Sequence, residues 1–406
     1  MKTRSRIFLI LLIFTLGLAA CMPTPPALEL SDSEKTQVAQ TLTAIAGAAM
    51  TPMASATPEP SPVPTGEPSA TPAPVVETVS YGPSDWPEGI NPLTGLKVED
   101  PAKLDRMPVI VKVSNWPATG RPHSGLSFAD IVFDYWIGGG SNRFSALYYG
   151  QDSNSINPVR SVRRIDGQLG KLYNAILAFS GGDGYKVIPN IINDVGYRFM
   201  MEGTCPGVCD DGHRWVTTVY ADSEAITASF KNSGVDKGAP NLDGMLFSTA
   251  VPEGGEEGTT AQFFYNAYNK AEWRYDAESG KYLRWIDNQE SPTWELMPLV
   301  DKLTDEQITA SNVILIKARH TPIEEALINI DVYTNTEGQE GLLFRDGKAW
   351  DITWKATAQD APLQFFDKAG NPIALKPGNT WITIFGTSSL LTSPEEGTLR
   401  YDFQMP

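Results

Sequence analysis

Cysteine and histidine are scarce in this chain, with three of each among 406 residues. That excludes zinc scaffolds built from repeated ligand pairs, and haem-attachment repeats. Basic residues are few as well. Lys and Arg number 32 against 48 Asp and Glu, for a formal net charge of −16. Nucleic-acid affinity comes mainly from neutralising phosphates, so a chain this acidic is not built to hold DNA or RNA. No G-x-S-x-G, H-E-x-x-H, Walker or EF-hand pattern occurs, so no familiar hydrolase signature supports catalysis, and the reading leans away from an enzyme. Aromatic residues are missing altogether between Phe14 and Tyr81, and no internal repeat is visible.

What is present at the N-terminus is an address. Lys2, Arg4 and Arg6 precede an apolar run from Ile7 to Leu18. That run is too short for a membrane-crossing helix, which needs about 20 residues, and residues 1–20 read as a secretory signal peptide. Leu18-Ala19-Ala20-Cys21 matches a bacterial lipobox, with Cys21 as the lipidated first residue of the mature chain. Acyl chains contribute roughly 0.8 kcal/mol per buried CH₂, which anchors such a residue to a membrane. Residues 21–85 then carry a short helix and a stalk. Val38, Leu42 and Ile45 fall at helical spacing, and Thr51 to Val75 holds eight Pro among Thr, Ser, Ala and Glu. This composition cannot offset its ordering entropy by burial, so a disordered, extended stalk of roughly 80 Å is expected. The protein is predicted to be extracytoplasmic and lipid-anchored to a bacterial membrane.

The folded part reads as two domains. Residues 86–250 mix strands (Pro108 to Val113, Ala129 to Tyr135, Arg143 to Tyr149) with helices (Gln168 to Ala175, Val187 to Val195, Ser223 to Lys231, capped by Asp222). This predicts a mixed-sheet α/β or α+β domain. Residues 260–390 read as a smaller β-rich domain of hairpins, with Arg345-Asp346-Gly347-Lys348 as the strongest turn signal. One helix is expected there, at the capping-box pattern Thr304-Asp305-Glu306-Gln307. Glu253 to Gly258 reads as the linker.

The candidate site lies between Gly138 and Asp166. Gly138-Gly139-Gly140 precedes Arg143, and Asn157-Pro158-Val159-Arg160-Ser161-Val162-Arg163-Arg164 follows. A helical turn from Pro158 would set Arg160, Arg163 and Arg164 on one face. Guanidinium forks bind phosphate or carboxylate, and glycine-rich backbone can add N–H donors. With Asp130 and Asp134 one strand away, this predicts a site for a phosphorylated ligand, with a divalent cation only if the site is catalytic. The competing reading makes these arginines structural ion pairs. Cys205 and Cys209 are expected to form a disulfide, as thiols this close do outside the cytoplasm. The alternative is a metal clip of Cys205, Cys209 and His213 with Asp210 or Asp211, but no metal or other cofactor is expected. His123 and His320 read as structural. Trp273, Trp285, Trp294, Trp350, Trp354 and Trp381 form either core or a sugar-stacking platform.

Several segments carry a family resemblance. Asn91 to Leu96, Arg121 to Val132, Asn157 to Arg163, Phe344 to Lys348, Thr353 to Lys355 and Pro377 to Ile382 resemble the YerB-like bacterial lipoproteins, which share a two-part domain of unknown function. The resemblance spans roughly 88 to 386 and implies a lipid-anchored envelope protein, with no activity attached. The chain departs from the family pattern at Cys205 to Tyr220, where an Arg- and His-bearing stretch is usual. A local likeness is also visible, in the strand Arg143 to Tyr149 followed by clustered Arg, to the LytR-CpsA-Psr phosphotransferases that move glycopolymers onto the wall. Three functions follow as expectations: binding of a protein partner or an anionic, phosphorylated envelope ligand; glycopolymer transfer using Arg160, Arg163, Arg164 and Asp130; or carbohydrate binding by the tryptophans. The partners implied are the membrane and a cell-envelope polymer, lipid-linked glycan or protein.

Overall fold

Val109–Ser114, read as a buried strand, forms β1, and all six of its residues are shielded from solvent. In the computed structural model the described residues are 78–212, 217–325 and 327–406. The signal peptide, Cys21, the Val38 to Ile45 helix, the stalk and His213 lie outside them. Beside β1 stand β2 (Ile131–Gly138) and β3 (Ser141–Tyr148), an antiparallel hairpin turned by Gly138 to Gly140, all at positive φ. Helix α1 (Arg164–Leu172) leads into β4 (Ile176–Phe179), helix α2 (Ile188–Val195) and β5 (Phe199–Met201). Strands β1, β4 and β5 run parallel. Helix α3 (Ser223–Asn232) begins where the Asp222 carboxylate accepts the backbone N–H of Ala225 at 2.9 Å, the cap its sequence predicts.

The later residues extend this sheet and build a second one. Glu256–Glu257, within the expected linker, forms edge strand β6. Strands β7 (Thr260–Asn266), β8 (Asn269–Asp276) and β9 (Lys281–Asp287) make a meander in the second sheet. Then come β10 (Asn312–Glu324), β11 (Leu327–Asp331), β12 (Gln339–Arg345), β13 (Lys348–Lys355), β14 (Thr380–Gly386), β15 (Leu390–Glu395) and β16 (Thr398–Asp402). Asp346 and Gly347 turn the β12–β13 hairpin with φ of 51° and 74°, as a primed turn requires.

The central sheet has 12 strands, ordered β6-β13-β12-β10-β14-β2-β3-β1-β4-β5, with β11 and Gln364–Phe366 as side members. Its strands come from both halves of the sequence. β14 lies parallel to β10 on one side and to β2 on the other, pairing Thr380 with Ile131 and Ile384 with Tyr135. The second sheet has seven strands and places β16 parallel to β7. Residues Val75–Pro406 form one compact unit.

The period-2 pattern of β2 divides two cores. Ile131, Phe133 and Tyr135 pack with Ile165, Leu169 and Ile191 of α1 and α2, while Val132 packs toward Phe263, Trp273 and Trp381 on the side of the second sheet. The expectation of an α/β or α+β class is corrected toward β: among the described residues there are three α-helices against two large sheets. The helix expected at Thr304 is absent. Asp301 reels that segment into a turn by accepting Leu303 N at 2.9 Å, and Glu306–Gln307 folds back to pair with Val300–Asp301. Its other bonds, to the backbone of Gly125 at 2.8 Å and Ser127 at 2.7 Å, fasten the turn to the first half.

Candidate functional site: an arginine recess at the strand ends

The residues after Pro158 do not coil. Ser114 donates its backbone N–H to Pro158 O, Arg160 to Lys112 O and Ser180 to Arg160 O, which threads the segment extended between the ends of β1 and β4. Backbone pairing to two strands outweighs the local helical spacing, and α1 starts only at Arg164. The expected single face of Arg160, Arg163 and Arg164 is therefore not formed. Arg164 turns aside and donates to Lys186 O at 2.8 Å.

Arg143, Arg160 and Arg163 do converge. Register places Arg143 opposite Ser114 at the carboxyl end of β1, and Tyr135 opposite Arg143. Arg143 donates to Ser161 O at 2.7 Å, and Arg163 to Val162 O at 3.0 Å. Among the described residues neither guanidinium forms a salt bridge, and the Nε atoms of both are buried without a hydrogen-bond partner. Burial, and after it the neighbouring charges of Arg163 and Arg160, hold Arg143 down at about 9 against the opposing pull of Asp166. Burial also lowers Arg163 and Arg160, the former opposed by Asp166 and the latter by Glu202. Like charges held this close, and 93% shielded at Arg143, cost stability unless negative charge meets them.

The place is significant. Ligands in sheets of this kind bind outside the carboxyl ends of parallel strands. The loop after β4, Ser180-Gly181-Gly182-Asp183-Gly184, lies there too, tied down by Val162 N donating to Gly181 O. A Cβ added at Gly181 or Gly184 would meet nothing within 4 Å, so backbone there faces open space, and Tyr185 beyond it is exposed. The Gly138 to Gly140 turn, expected to serve the anion, is held by the second sheet, where Gly140 O accepts Asn266 Nδ2 at 3.1 Å and Asn269 Nδ2 at 3.2 Å.

The two aspartates do not join the recess. Asp134 lies on the opposite face of β2 from Tyr135, and its carboxylate accepts from Arg284 at 3.0 Å, Tyr265 at 2.9 Å and Asn142 at 2.5 Å. Asp130 sits at the far end of the hairpin, accepting from Asn91 at 2.8 Å and from the backbone N–H groups of Tyr149 and Gly150. Six residues along a strand separate Tyr149 from Arg143, about 20 Å. A transfer mechanism pairing Asp130 with the arginines loses its carboxylate.

Sequence reasoning missed the residues beneath the arginines: Lys112 from β1, Tyr135 from β2, Ser145 from β3 and Asp166 from α1. Lys112 was legible as the one charge inside the apolar run Pro108 to Val113. Elsewhere, Cys205 and Cys209 are disulfide-bonded. Trp273, Trp354 and Trp381 are buried, which removes them from a stacking surface; Trp350 is largely covered but lines an open groove with Asp351, Asp367 and Lys368, and Trp285 is covered by Arg274 at 3.8 Å. His123 is buried with Nε2 on Ser114 O at 2.8 Å, and His320 with Nδ1 on Ala318 O at 2.9 Å.

Comparison with known proteins agrees with this architecture. Residues 93–236 match the N-terminal domain, and residues 260–382 the C-terminal domain, of a protein family of unknown function, DUF3048. The lipoprotein YerB of Bacillus subtilis (strain 168) is 28% identical over 300 residues, covering 72% of this chain and 85% of its own length. The crystal structure of the B. subtilis YerB protein superimposes with a TM-score of 0.59 at 25% identity, covering 72% of this chain and 95% of that one. The segments from Asn157 to Arg163 and from Phe344 to Lys348 both fall inside the matched regions, and the chain belongs to the YerB-like DUF3048 family.

Proposed function

We propose that this is an extracytoplasmic lipoprotein, held to a bacterial membrane through Cys21, whose head binds an anionic, phosphorylated envelope ligand in the Arg143–Arg160–Arg163 recess. The observation that carries the reading is the buried Arg143 guanidinium beside two others of like charge, with the Ser161 carbonyl and no described carboxylate as its hydrogen-bond partner. Arg143 and Arg163, gathered this way in so acidic a chain with no salt bridge among the described residues, are explained by a ligand that supplies negative charge. The lipobox at Cys21 and the lipoprotein relative support the anchor. Among the described residues no helix is long and apolar enough to cross a membrane.

The test uses the chain from Val75 onward and its Arg143→Glu and Arg163→Glu variants, titrated with glycerol phosphate. The parent is expected to bind and both variants to lose at least tenfold in affinity. Equal binding by all three, or none by the parent, defeats the reading.

A further inference from the structure

The network under the arginines has a role that charge attraction alone does not require. Lys112 is buried, with its Nζ on the Tyr135 hydroxyl, on Ser145 Oγ at 3.3 Å and on Asp166 Oδ1 at 3.2 Å. The same carboxylate oxygen accepts from Ser145 Oγ at 2.5 Å and from the Tyr135 hydroxyl, and the other accepts the backbone N–H of Arg163 at 2.5 Å. Asp166 is thus fully occupied by hydrogen-bond donors, and this one carboxylate serves both Lys112 and the guanidiniums above it.

The groups that act on Lys112 are Tyr135 from β2, Ser145 and Arg143 from β3, and Asp166 and Arg163 from α1 and its cap, while β4, which pairs with β1 on its other edge, carries only apolar side chains. Burial is the main influence on Lys112 and pushes it down to about 7. Asp166 opposes that shift, while Arg143 and Arg163 add to it. Among the described residues Lys112, Arg143 and Arg163 face one carboxylate, Asp166. With the lysine protonated, two positive charges remain uncompensated.

We infer that the recess selects a doubly charged phosphoryl group, a terminal phosphomonoester in preference to a diester, and that its binding places a proton on Lys112. This rests on the anion-site reading above and deepens it. A dianion against the guanidiniums cancels the repulsion they exert on the lysine beneath, so the bound form holds its proton to higher pH than the free form. Above neutrality binding then takes up a proton, and affinity falls as pH rises, by at most about tenfold per pH unit for one linked proton.

Calorimetry on residues 75–406 between pH 7.5 and 9, in two buffers of different ionisation heat, reads that proton directly. The probes are glycerol phosphate, a dianion above its second ionisation near pH 6, and dimethyl phosphate, a monoanion. Glycerol phosphate is expected to bind with net proton uptake, and dimethyl phosphate at least tenfold more weakly. Lys112→Met keeps glycerol phosphate binding and loses both the uptake and the pH slope. Because the parent protein alone supplies the buffer comparison, the test survives a variant that fails to fold. Glycerol phosphate binding without proton uptake, or equal affinity for both probes, overturns this inference and leaves the anion site standing. Absence of any glycerol phosphate binding overturns both. Glucose 1-phosphate and vesicles containing phosphatidate distinguish a soluble glycan phosphate from a lipid headgroup as the source of the phosphomonoester.

Discussion

Arg284 of the second sheet donates to Asp134 of the central sheet at 3.0 Å, and neither side chain is reached by solvent. The guanidinium lies among Trp381, Trp273 and Phe144, with its carbon 4.2, 5.0 and 5.5 Å from their ring centroids. One ion pair inside an aromatic box therefore rivets the two sheets together. Asp134→Ala is expected to cost about 3–5 kcal/mol, because it strands a buried cation. Replacing both partners, as Asp134→Leu with Arg284→Met, is expected to recover most of that loss. Urea unfolding of the three variants checks it, and a single variant as stable as the parent refutes it.

Acid is expected to destabilise the head through its histidines. Burial holds His123 down at about 3 and His320 at about 4. In the unfolded chain these rings take up protons near pH 6.5. Between that pH and the folded values the unfolded state binds more protons, so stability falls as pH drops from about 6.5 toward 3. His123→Asn is expected to flatten the fall. Thermal melts from pH 7 to 4 measure it, and parallel curves for parent and variant would refute the assignment.

Trp381 is expected to act as core and not as a sugar platform. It is packed edge-on to Phe144 at 5.1 Å and to Trp273 at 5.2 Å. Trp381→Ala should lower stability by about 3–5 kcal/mol. Denaturation measures this, and a wall-glycan affinity lost at unchanged stability would contradict it.

Cys21→Ser is expected to release the protein into the soluble extracytoplasmic fraction, with labelled fatty acid no longer incorporated. Fractionation of cells carrying either form decides the matter. A serine form that stays with the membrane would place the anchor elsewhere.

Strand positions were largely legible. Pro108 to Val113 and Ala129 to Tyr135 read correctly as strands because pattern and burial agree there, and Asp346-Gly347 located its hairpin because few other residues accept positive φ at both turn positions. The arginine cluster was legible in part. Arg160 and Arg163 were found, but the helical turn expected of them lost to backbone pairing with Lys112 and Ser180. Asp134 was grouped with the arginines because the sequence does not show that Arg143 pairs with Tyr135 and shares its face of the sheet, opposite Asp134. The bonds that join Arg143 to Ser161, and Gly125 to Asp301, arise from pairings distant in sequence, to which local pattern is blind.

Strand β14 sits between β10 and β2, so a segment near the C-terminus closes the sheet against one formed 250 residues earlier. Until Thr380 to Gly386 arrives, the side of β2 that it will cover presents unmet backbone donors and acceptors, a template for wrong partners. The opening half of the chain therefore cannot finish its part of the sheet until Thr380 to Gly386 is in place. Any product stopped short of Trp381 would be left with an open seam.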